Sequence, residues 1–390
     1  DYADKPFLGT VANTAPFAHH GKLYALKEDA HPFEIDPNTL ETLGPWNFDG
    51  KYTAQTFSAH PKIDPVSGEM ICYGYEATGL CTDDLWIYTV SPQGQVTREY
   101  KVKVPYVSTL HDMVLTQKYM IFPVYGYVTS MERLRAGQLH WAFDKNMPTY
   151  WGFVPRDGDG SDVRWFKGPA SVVMHTINAF DDGNKVIVDA PISDGNPLPF
   201  FPQVDGSPWS PQLARHTIRR LVFDMASTGD SYQETILDPT DVVDLARIDD
   251  RYISLPYKYV YSSMADASQP YDAARAGPNR AVNSYFRYDL SNGEWRKYFA
   301  GDVHNLQEVT FIPRSATAPE GDGWLIGTAS NYADMRTELV IVDAVEMQEL
   351  ARVFLPFRMT PQVHARWYNN TELPFSDEVI APYRGRVQES

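Results

Sequence analysis

The chain has 390 residues with 43% hydrophobic and 13% aromatic side chains, which argues against global disorder and allows a substantial core. The net charge of −16 argues against nucleic acid as a partner, because binding to phosphates needs a basic surface. The two cysteines, Cys72 and Cys81, exclude a disulfide scaffold and favour a reducing, cytoplasmic location, although one disulfide across a hairpin stays open. No apolar run has the length of a transmembrane helix.

Strand signals dominate the chain. Short β-branched and aromatic runs are bounded by Gly, Pro, Asn and Asp, as is typical of strands joined by turns. The clearest runs are residues 22–26, 70–75, 185–188 and 339–342. Helical periodicity is scarce, and it predicts only a short loop helix at residues 131–137.

Hairpin signals recur along the chain. A strand run precedes each of three turn glycines, and the Asn-Gly pair at Gly293 is a strong hairpin signal. Gly94 and Gly229 are 135 residues apart, and Gly229 and Gly293 are 64 apart, so the first interval is near twice the second. A hairpin repeat of roughly 60 residues is typical of a β-propeller with long loops.

Four histidines follow a similar spacing, namely His60, His111, His175 and His364. The intervals are 51, 64 and 189 residues, and the last is close to three times 63. Equivalent positions on the innermost strands of different blades can meet at the propeller axis, so this spacing favours an all-imidazole metal site. Imidazole suits iron, copper, zinc and nickel. Spacing alone leaves another interpretation open, in which these are structural histidines of a non-catalytic, ligand-binding propeller.

The sequence around these histidines resembles the carotenoid cleavage oxygenases. Residues 58–65, 111–116 and 175–180 are similar to the family's first three metal-histidine motifs, and His364 lies where its fourth ligand lies. Residues 23–28 with 36–44, and 308–314 with 321–324, resemble further family signatures. The resemblance implies one domain over residues 1–390, an all-β, seven-bladed β-propeller with loops and short helices capping the metal face. It also implies Fe(II) held by four histidines and cleavage of a C=C bond by O2, with no organic cofactor.

The resemblance also implies carboxylate partners for the metal-bound imidazoles. A metal-bound histidine usually donates its other ring N–H to a carboxylate or carbonyl, which fixes its tautomer. Glu28 and Glu308 match the family's positions for this role. Asp244 stands where a glutamate is usual, so we expect its contact to be longer or mediated by water. Ala365, directly after His364, replaces a more usual glycine.

Lys27 makes this chain resemble one branch of the family in particular, the branch that cleaves lignostilbene and resveratrol. In that branch a lysine at this place contacts the 4-hydroxyl group of the substrate, and a nearby cation favours the phenolate. We therefore expect a small aromatic alkene and O2 as substrates, with two aldehydes as products. Isoeugenol, which would give vanillin, and a carotenoid or apocarotenoid are the alternatives.

Other expectations rest on weaker signals. Phe200 and Phe201 in an apolar loop, and Val172 three residues before His175, are candidates for the wall of the substrate pocket. Family members carry a longer segment before the signature at Glu28. We therefore expect the N-terminal part of the family domain, with its phenol-contacting tyrosine, to be absent from this chain. A homodimer is possible. The remaining histidines have no motif context and are interpreted as surface or core residues: His19, His20, His31, His140, His216 and His304.

Overall fold

This computed structural model describes residues 10–278, 282–374 and 376, where regular structure is almost entirely β-strand. In this part of the chain, six antiparallel sheets of three or four strands follow one another in sequence order, and each forms a blade of a propeller. Because every blade is built from neighbouring hairpins, the fold needs only local strand pairing within a blade and side-chain packing between blades.

The first three blades comprise β1 (Ala15–His19), β2 (Lys22–Leu26), β3 (Phe33–Ile35) and β4 (Thr42–Pro45); β5 (Lys62–Ile63), β6 (Met70–Tyr75), β7 (Asp84–Val90) and β8 (Val96–Lys103); and β9 (Val114–Leu115), β10 (Tyr119–Val124), β13 (Thr149–Pro155) and β14 (Arg164–Gly168). A separate hairpin interrupts the third blade and comprises β11 (Tyr127–Val128) and β12 (Ala142–Phe143).

The other three blades comprise β15 (Asn178–Asp182), β16 (Lys185–Ile192), β17 (His216–Asp224) and β18 (Gln233–Val242); β19 (Tyr259–Met264), β20 (Ser284–Asp289) and β21 (Glu294–Phe299); and β22 (His304–Pro313), β23 (Gly323–Asn331), β24 (Arg336–Asp343) and β25 (Glu349–Phe354). The helical segments are short: α1 (Met131–Arg135), a 3₁₀ turn (Asp250–Tyr252) and α2 (Ala273–Ala276). No helix among the described residues is long and apolar enough to cross a membrane.

The predicted local elements are confirmed. All four predicted strand runs lie in strands, and α1 lies in the predicted helical segment. The three turn glycines lie between β7 and β8, β17 and β18, and β20 and β21, each pair being a hairpin. Gly94 and Gly293 have positive φ angles of 79° and 74°, a conformation that glycine adopts without a Cβ clash.

The prediction of seven blades is wrong, although the all-β propeller class is right. The described residues form six blade sheets. The number seven followed from the family resemblance, whereas the hairpin repeat measures only the length of one blade. A repeat length does not determine how many blades surround the axis, because the angle between neighbouring blades depends on the packing of their side chains.

The core lies between neighbouring blades. Phe153 on β13 and Phe166 on β14 contact Phe223 on β17 of the next blade, with ring centroids 4.8 and 5.1 Å apart. All three belong to one buried cluster, and fully burying a side chain of this size contributes roughly 1.5–3 kcal/mol. Both cysteines are free thiols, and Cys72 is buried in β6.

Candidate metal centre

The predicted convergence of the four histidines is confirmed. One ring nitrogen from each of His60, His111, His175 and His364 lies within 4.8 Å of the others. The Nε2 atom of His111 is 3.1 Å from Nε2 of His60 and 3.1 Å from Nε2 of His175. The ring centroids of His60 and His364 are 4.5 Å apart. Residues from four distant parts of the sequence thus form one group of imidazoles.

Propeller topology explains how three of the histidines meet. His60, His111 and His175 each lie a few residues before the first strand of a blade, at β5, β9 and β15 respectively. These are equivalent positions in consecutive blades, as the spacing predicted. His364 differs, because it follows the last strand of the sixth blade, β25, and enters the group from the chain segment beyond it.

Three of the imidazoles have a carboxylate on their outer side. Nδ1 of His111 donates to Glu28 Oε1 at 2.7 Å, and Nδ1 of His364 donates to Glu308 Oε1 at 3.2 Å. Nδ1 of His175 donates to Asp244 Oδ2 at 3.2 Å. Asp244 therefore reaches its imidazole directly, without a water molecule. A proton held on Nδ1 leaves the lone pair of Nε2 directed at the other histidines.

This donor set fits a metal ion. In the described part of the chain, Nε2 of His364 is buried and has no hydrogen-bond partner. A buried polar atom is normally paired, because an unpaired one costs roughly 1–3 kcal/mol. Converging imidazole lone pairs repel one another unless a cation lies between them. The four residues thus provide neutral nitrogen ligands of the kind that transition metals bind.

The electrostatic surroundings keep most of this group neutral. Burial lowers the pKa of His60 well below its usual value, and it lowers the pKa of His175 to about 3 and that of His364 to about 4. Burial also opposes a charge on His111, but the charge and hydrogen bond of Glu28 outweigh it and raise that pKa. Neutral imidazoles are the form that binds metal, because protons compete for the same lone pair.

The two carboxylates closest to His175 and His364 differ in their own contacts. Glu308 also accepts a hydrogen bond from the backbone N–H of Ala365 at 2.6 Å, and its pKa is lowered by Arg247 despite the opposing effect of burial. Burial raises the pKa of Asp244 to about 7. Two hydrogen bonds, from His364 and from Ala365, therefore stabilise the charged form of Glu308. The charged form of Asp244 is less well stabilised.

An ion pair beside the histidines was missed by the sequence analysis. Lys62 Nζ lies 2.7 Å from Asp112 Oδ1, and Asp112 Oδ2 accepts hydrogen bonds from the backbone N–H and the hydroxyl group of Thr176, both at 2.8 Å. These residues follow three of the histidines within two positions, so they link the second, third and fourth blades at the metal centre. Their place inside the histidine motifs was the signal that could have revealed them.

Lys27 follows Leu26, the last residue of β2, and directly precedes Glu28. Its Nζ atom is 3.7 Å from Asp29 Oδ2, and a third of its side chain, 34%, is exposed. The ammonium group is thus close along the chain to the carboxylate that holds His111 while remaining accessible. Its contact with a substrate stays a prediction.

The three residues predicted to line a substrate pocket have different surroundings. Val172 is fully buried in the cluster between the third and fourth blades. Phe201 packs on Tyr127, with ring centroids 5.0 Å apart, whereas 62% of Phe200 is exposed. Their role in substrate binding stays a prediction.

Comparisons with known proteins agree with this geometry. Residues 3–369 match the family model RPE65, described as retinal pigment epithelial membrane protein. Lignostilbene-alpha,beta-dioxygenase isozyme III of Sphingomonas paucimobilis is 37% identical over 373 residues, covering 94% of this chain and 76% of that protein. Isoeugenol monooxygenase of Pseudomonas putida is 37% identical over 360 residues, covering 92% of this chain and 75% of that protein.

The fold has a solved counterpart. The crystal structure of lignostilbene dioxygenase from Pseudomonas brassicacearum superimposes with a TM-score of 0.89 and 39% sequence identity, covering 93% of this chain and 76% of that one. The similarity therefore includes the arrangement of the blades over most of this chain. The chain belongs to the RPE65 family of carotenoid oxygenases.

Proposed function

We propose that this protein is a non-haem Fe(II) dioxygenase that cleaves the alkene bond of a 4-hydroxystilbene with O2 and releases two aromatic aldehydes. The observation that carries the proposal is the group of four imidazoles, each with one ring nitrogen within 4.8 Å of the others. Two relatives, a lignostilbene dioxygenase and an isoeugenol monooxygenase, support an aromatic alkene as substrate.

His60, His111, His175 and His364 would hold the iron, and Fe(II) bound there would supply the binding and reduction of O2. Four neutral ligands leave the ion its full charge. The carboxylates of Glu28, Asp244 and Glu308 keep three Nδ1 protons in place, so the imidazoles stay in the tautomer that presents Nε2. The contribution of these residues is a rigid geometry around the ion.

Lys27 would bind the 4-hydroxyl group of the substrate. A cation beside a phenol lowers the pKa of that phenol and favours the phenolate. The phenolate donates electron density through its ring into the alkene, which prepares the double bond for attack by an electrophilic oxidant. The present partner of Lys27 is the exposed Asp29 at 3.7 Å, and exposed ion pairs contribute only about 0–1 kcal/mol, so exchanging it for a phenolate costs little.

The direct test is anaerobic reconstitution with Fe(II), followed by air and resveratrol. We expect one bound iron per chain, and 4-hydroxybenzaldehyde with 3,5-dihydroxybenzaldehyde as products. With ¹⁸O₂, both aldehydes should carry the label when they are reduced to alcohols before exchange with water. Bound iron without either aldehyde would refute the stilbene substrate, and a protein that binds no iron would refute the metal centre.

A phenylpropene is the second candidate substrate. The observation that favours it is the relative named isoeugenol monooxygenase, which matches this chain as closely as the lignostilbene enzyme does, at 37% identity. Cleavage of isoeugenol would give vanillin and acetaldehyde, and its 4-hydroxyl group could use the same contact with Lys27. Comparing kcat/KM for resveratrol and isoeugenol under the same conditions decides between them.

A further inference from the structure

His216 lies beside the shortest of the three carboxylates at the metal centre. It is the first residue of β17, and it pairs across the sheet with Val242, the last residue of β18. Asp244 follows Val242 by two positions, so it is the diagonal neighbour of His216, a separation that a long side chain can span. The backbone N–H of His216 also donates to Asp241 Oδ1 at 3.2 Å, which holds the start of β17 against this segment.

Two complementary polar atoms meet at this position without partners. Nε2 of His216 lies 3.7 Å from Oδ2 of Asp244, slightly beyond hydrogen-bond distance. Among the described residues, Nε2 of His216 and Oδ1 of Asp244 are both buried and have no hydrogen-bond partner. The two side chains are only 12% and 13% exposed. A potential donor and an acceptor left unpaired next to each other indicate an interaction, either direct or through one water molecule.

A comparison with Glu308 shows what a further donor would do for Asp244. Glu308 is held by two donors, Nδ1 of His364 and the backbone N–H of Ala365. Asp244 has the corresponding bond from Nδ1 of His175 to Oδ2, whereas its other oxygen, Oδ1, has no hydrogen-bond partner among the described residues. An aspartate is also one methylene shorter than the glutamate that the family motif has at this place, so it depends more on a second contact to stay against its imidazole.

We infer that His216 is a positioning residue for the metal centre: its Nε2–H donates to the Asp244 carboxylate and holds that carboxylate against Nδ1 of His175. The inference rests on the proposed metal centre and adds to it a residue outside the family motifs. His216 supplies this carboxylate with a donor in addition to Nδ1 of His175. It acts through Asp244 and His175 and does not contact the substrate.

The test compares metal binding by three variants. His216→Leu removes the donor, whereas His216→Gln places an amide N–H close to the position of Nε2. The control is His304→Leu, because His304 also pairs with a carboxylate, Glu338, and its side chain is 11% exposed. Co(II) serves as the probe, its affinity is measured by competition with a chelator, and its absorption bands are recorded at saturation. Thermal unfolding of the metal-free proteins reports separately on folding.

We expect His216→Leu to bind Co(II) about tenfold more weakly, the lower end of the range for removing an outer partner of a metal ligand, and to shift its absorption bands. His216→Gln and His304→Leu should bind as the wild type does.

Three results would overturn the inference. Unchanged affinity and spectrum in His216→Leu would show that Asp244 needs no second donor. Equal weakening in His216→Leu and His304→Leu would show a general loss of structure. Equal weakening in His216→Leu and His216→Gln would exclude the N–H as the active feature. Failure of the wild type itself to bind Co(II) would instead refute the metal centre, and the inference with it.

Discussion

Two buried groups in this molecule combine histidine with carboxylate, and their charges are balanced differently. In the sixth blade, Nε2 of His304 lies 3.1 Å from Glu338 Oε2, and this carboxylate also accepts from Arg352 at 2.8 Å, Arg336 at 2.8 Å and Asn331 at 2.9 Å. Here the carboxylate lies in the middle and is surrounded by donors. The protein itself supplies the positive charge.

At the metal centre the arrangement is reversed. The imidazoles lie in the middle, and the carboxylates of Glu28, Asp244 and Glu308 lie outside them. The lone pairs of the Nε2 atoms face one another where the four ring nitrogens converge. A histidine–carboxylate pair alone therefore does not indicate function. The direction in which the imidazole nitrogens point does indicate function, because only lone pairs that face one another require an external cation.

Removing one histidine from each group should give the largest difference between the two groups. His60→Ala should abolish stoichiometric metal binding and alkene cleavage, a loss larger than the roughly 10–100-fold effect of removing an outer partner. The unfolding temperature of its metal-free form should change little, because His60 is held in an uncharged, crowded group. His304→Ala should show the opposite pattern, with metal retained and stability reduced. Metal analysis and thermal unfolding of both variants measure the contrast, which a shared phenotype would contradict.

Lys27→Met tests the chemistry beside the metal centre. We expect kcat/KM for resveratrol to fall about 100-fold or more, in line with the loss of one electrostatic contact in a catalytic site, while iron binding is kept. Lys22→Met is the control, because Lys22 lies in β2, five residues before Lys27, but pairs with Glu34 at 2.8 Å. A stilbene with a 4-methoxy group has no proton to lose, so the wild type and Lys27→Met should treat it alike. Full activity of Lys27→Met on resveratrol would remove the phenolate role.

Glu28→Gln tests whether the outer carboxylates matter. The amide keeps the size of the side chain but is a weaker acceptor for Nδ1 of His111, so metal affinity should fall about tenfold. Glu76→Gln is the matched control, because Glu76 contacts His140 at 3.0 Å in a pair outside the four-histidine group. Chelator competition measures both variants. Equal affinities would mean that the orientation of His111 is fixed by packing alone.

The sequence predicted the parts of this site that repeat. His60, His111 and His175 could be found because each precedes the first strand of one of three consecutive blades. Glu28 and Glu308 followed from family motifs. The partners between blades, Lys62 with Asp112 and His216 with Asp244, could not be predicted in the same way. Their contacts depend on side-chain direction and on strand register, which a periodic pattern does not specify.

A periodic sequence pattern does not specify the number of blades either. Three blades, which begin at β15, β19 and β22, lie between His175 and His364. Their first strands begin at residues 178, 259 and 304, so the intervals of 81 and 45 residues both differ from the repeat of 63. The closure of the ring is a property of all interfaces together, and the expectation of seven blades had no support from the spacing itself.

In the sixth-blade group we expect a change of stability with pH. Burial opposes the charge of Glu338, but hydrogen bonds from Asn331, Arg336 and Arg352 outweigh it and lower the pKa to about 2 from an ordinary value of 4.5. A carboxylate with a depressed pKa in the folded state stabilises that state above its unfolded pKa. The stabilisation is lost as the pH falls from about 4.5 towards 2.

Glu338→Gln should therefore destabilise the metal-free protein by roughly 3 kcal/mol at pH 7, the low end for breaking a buried ion pair. The difference from the wild type should shrink at pH 3, as measured by urea unfolding. Glu346→Gln on the same blade is the control, because its 3.0 Å pair with Arg296 is exposed and contributes only about 0–1 kcal/mol. A difference that stays constant with pH would mean that the charge of Glu338 does not stabilise the blade, so charge balance would no longer separate the two histidine groups.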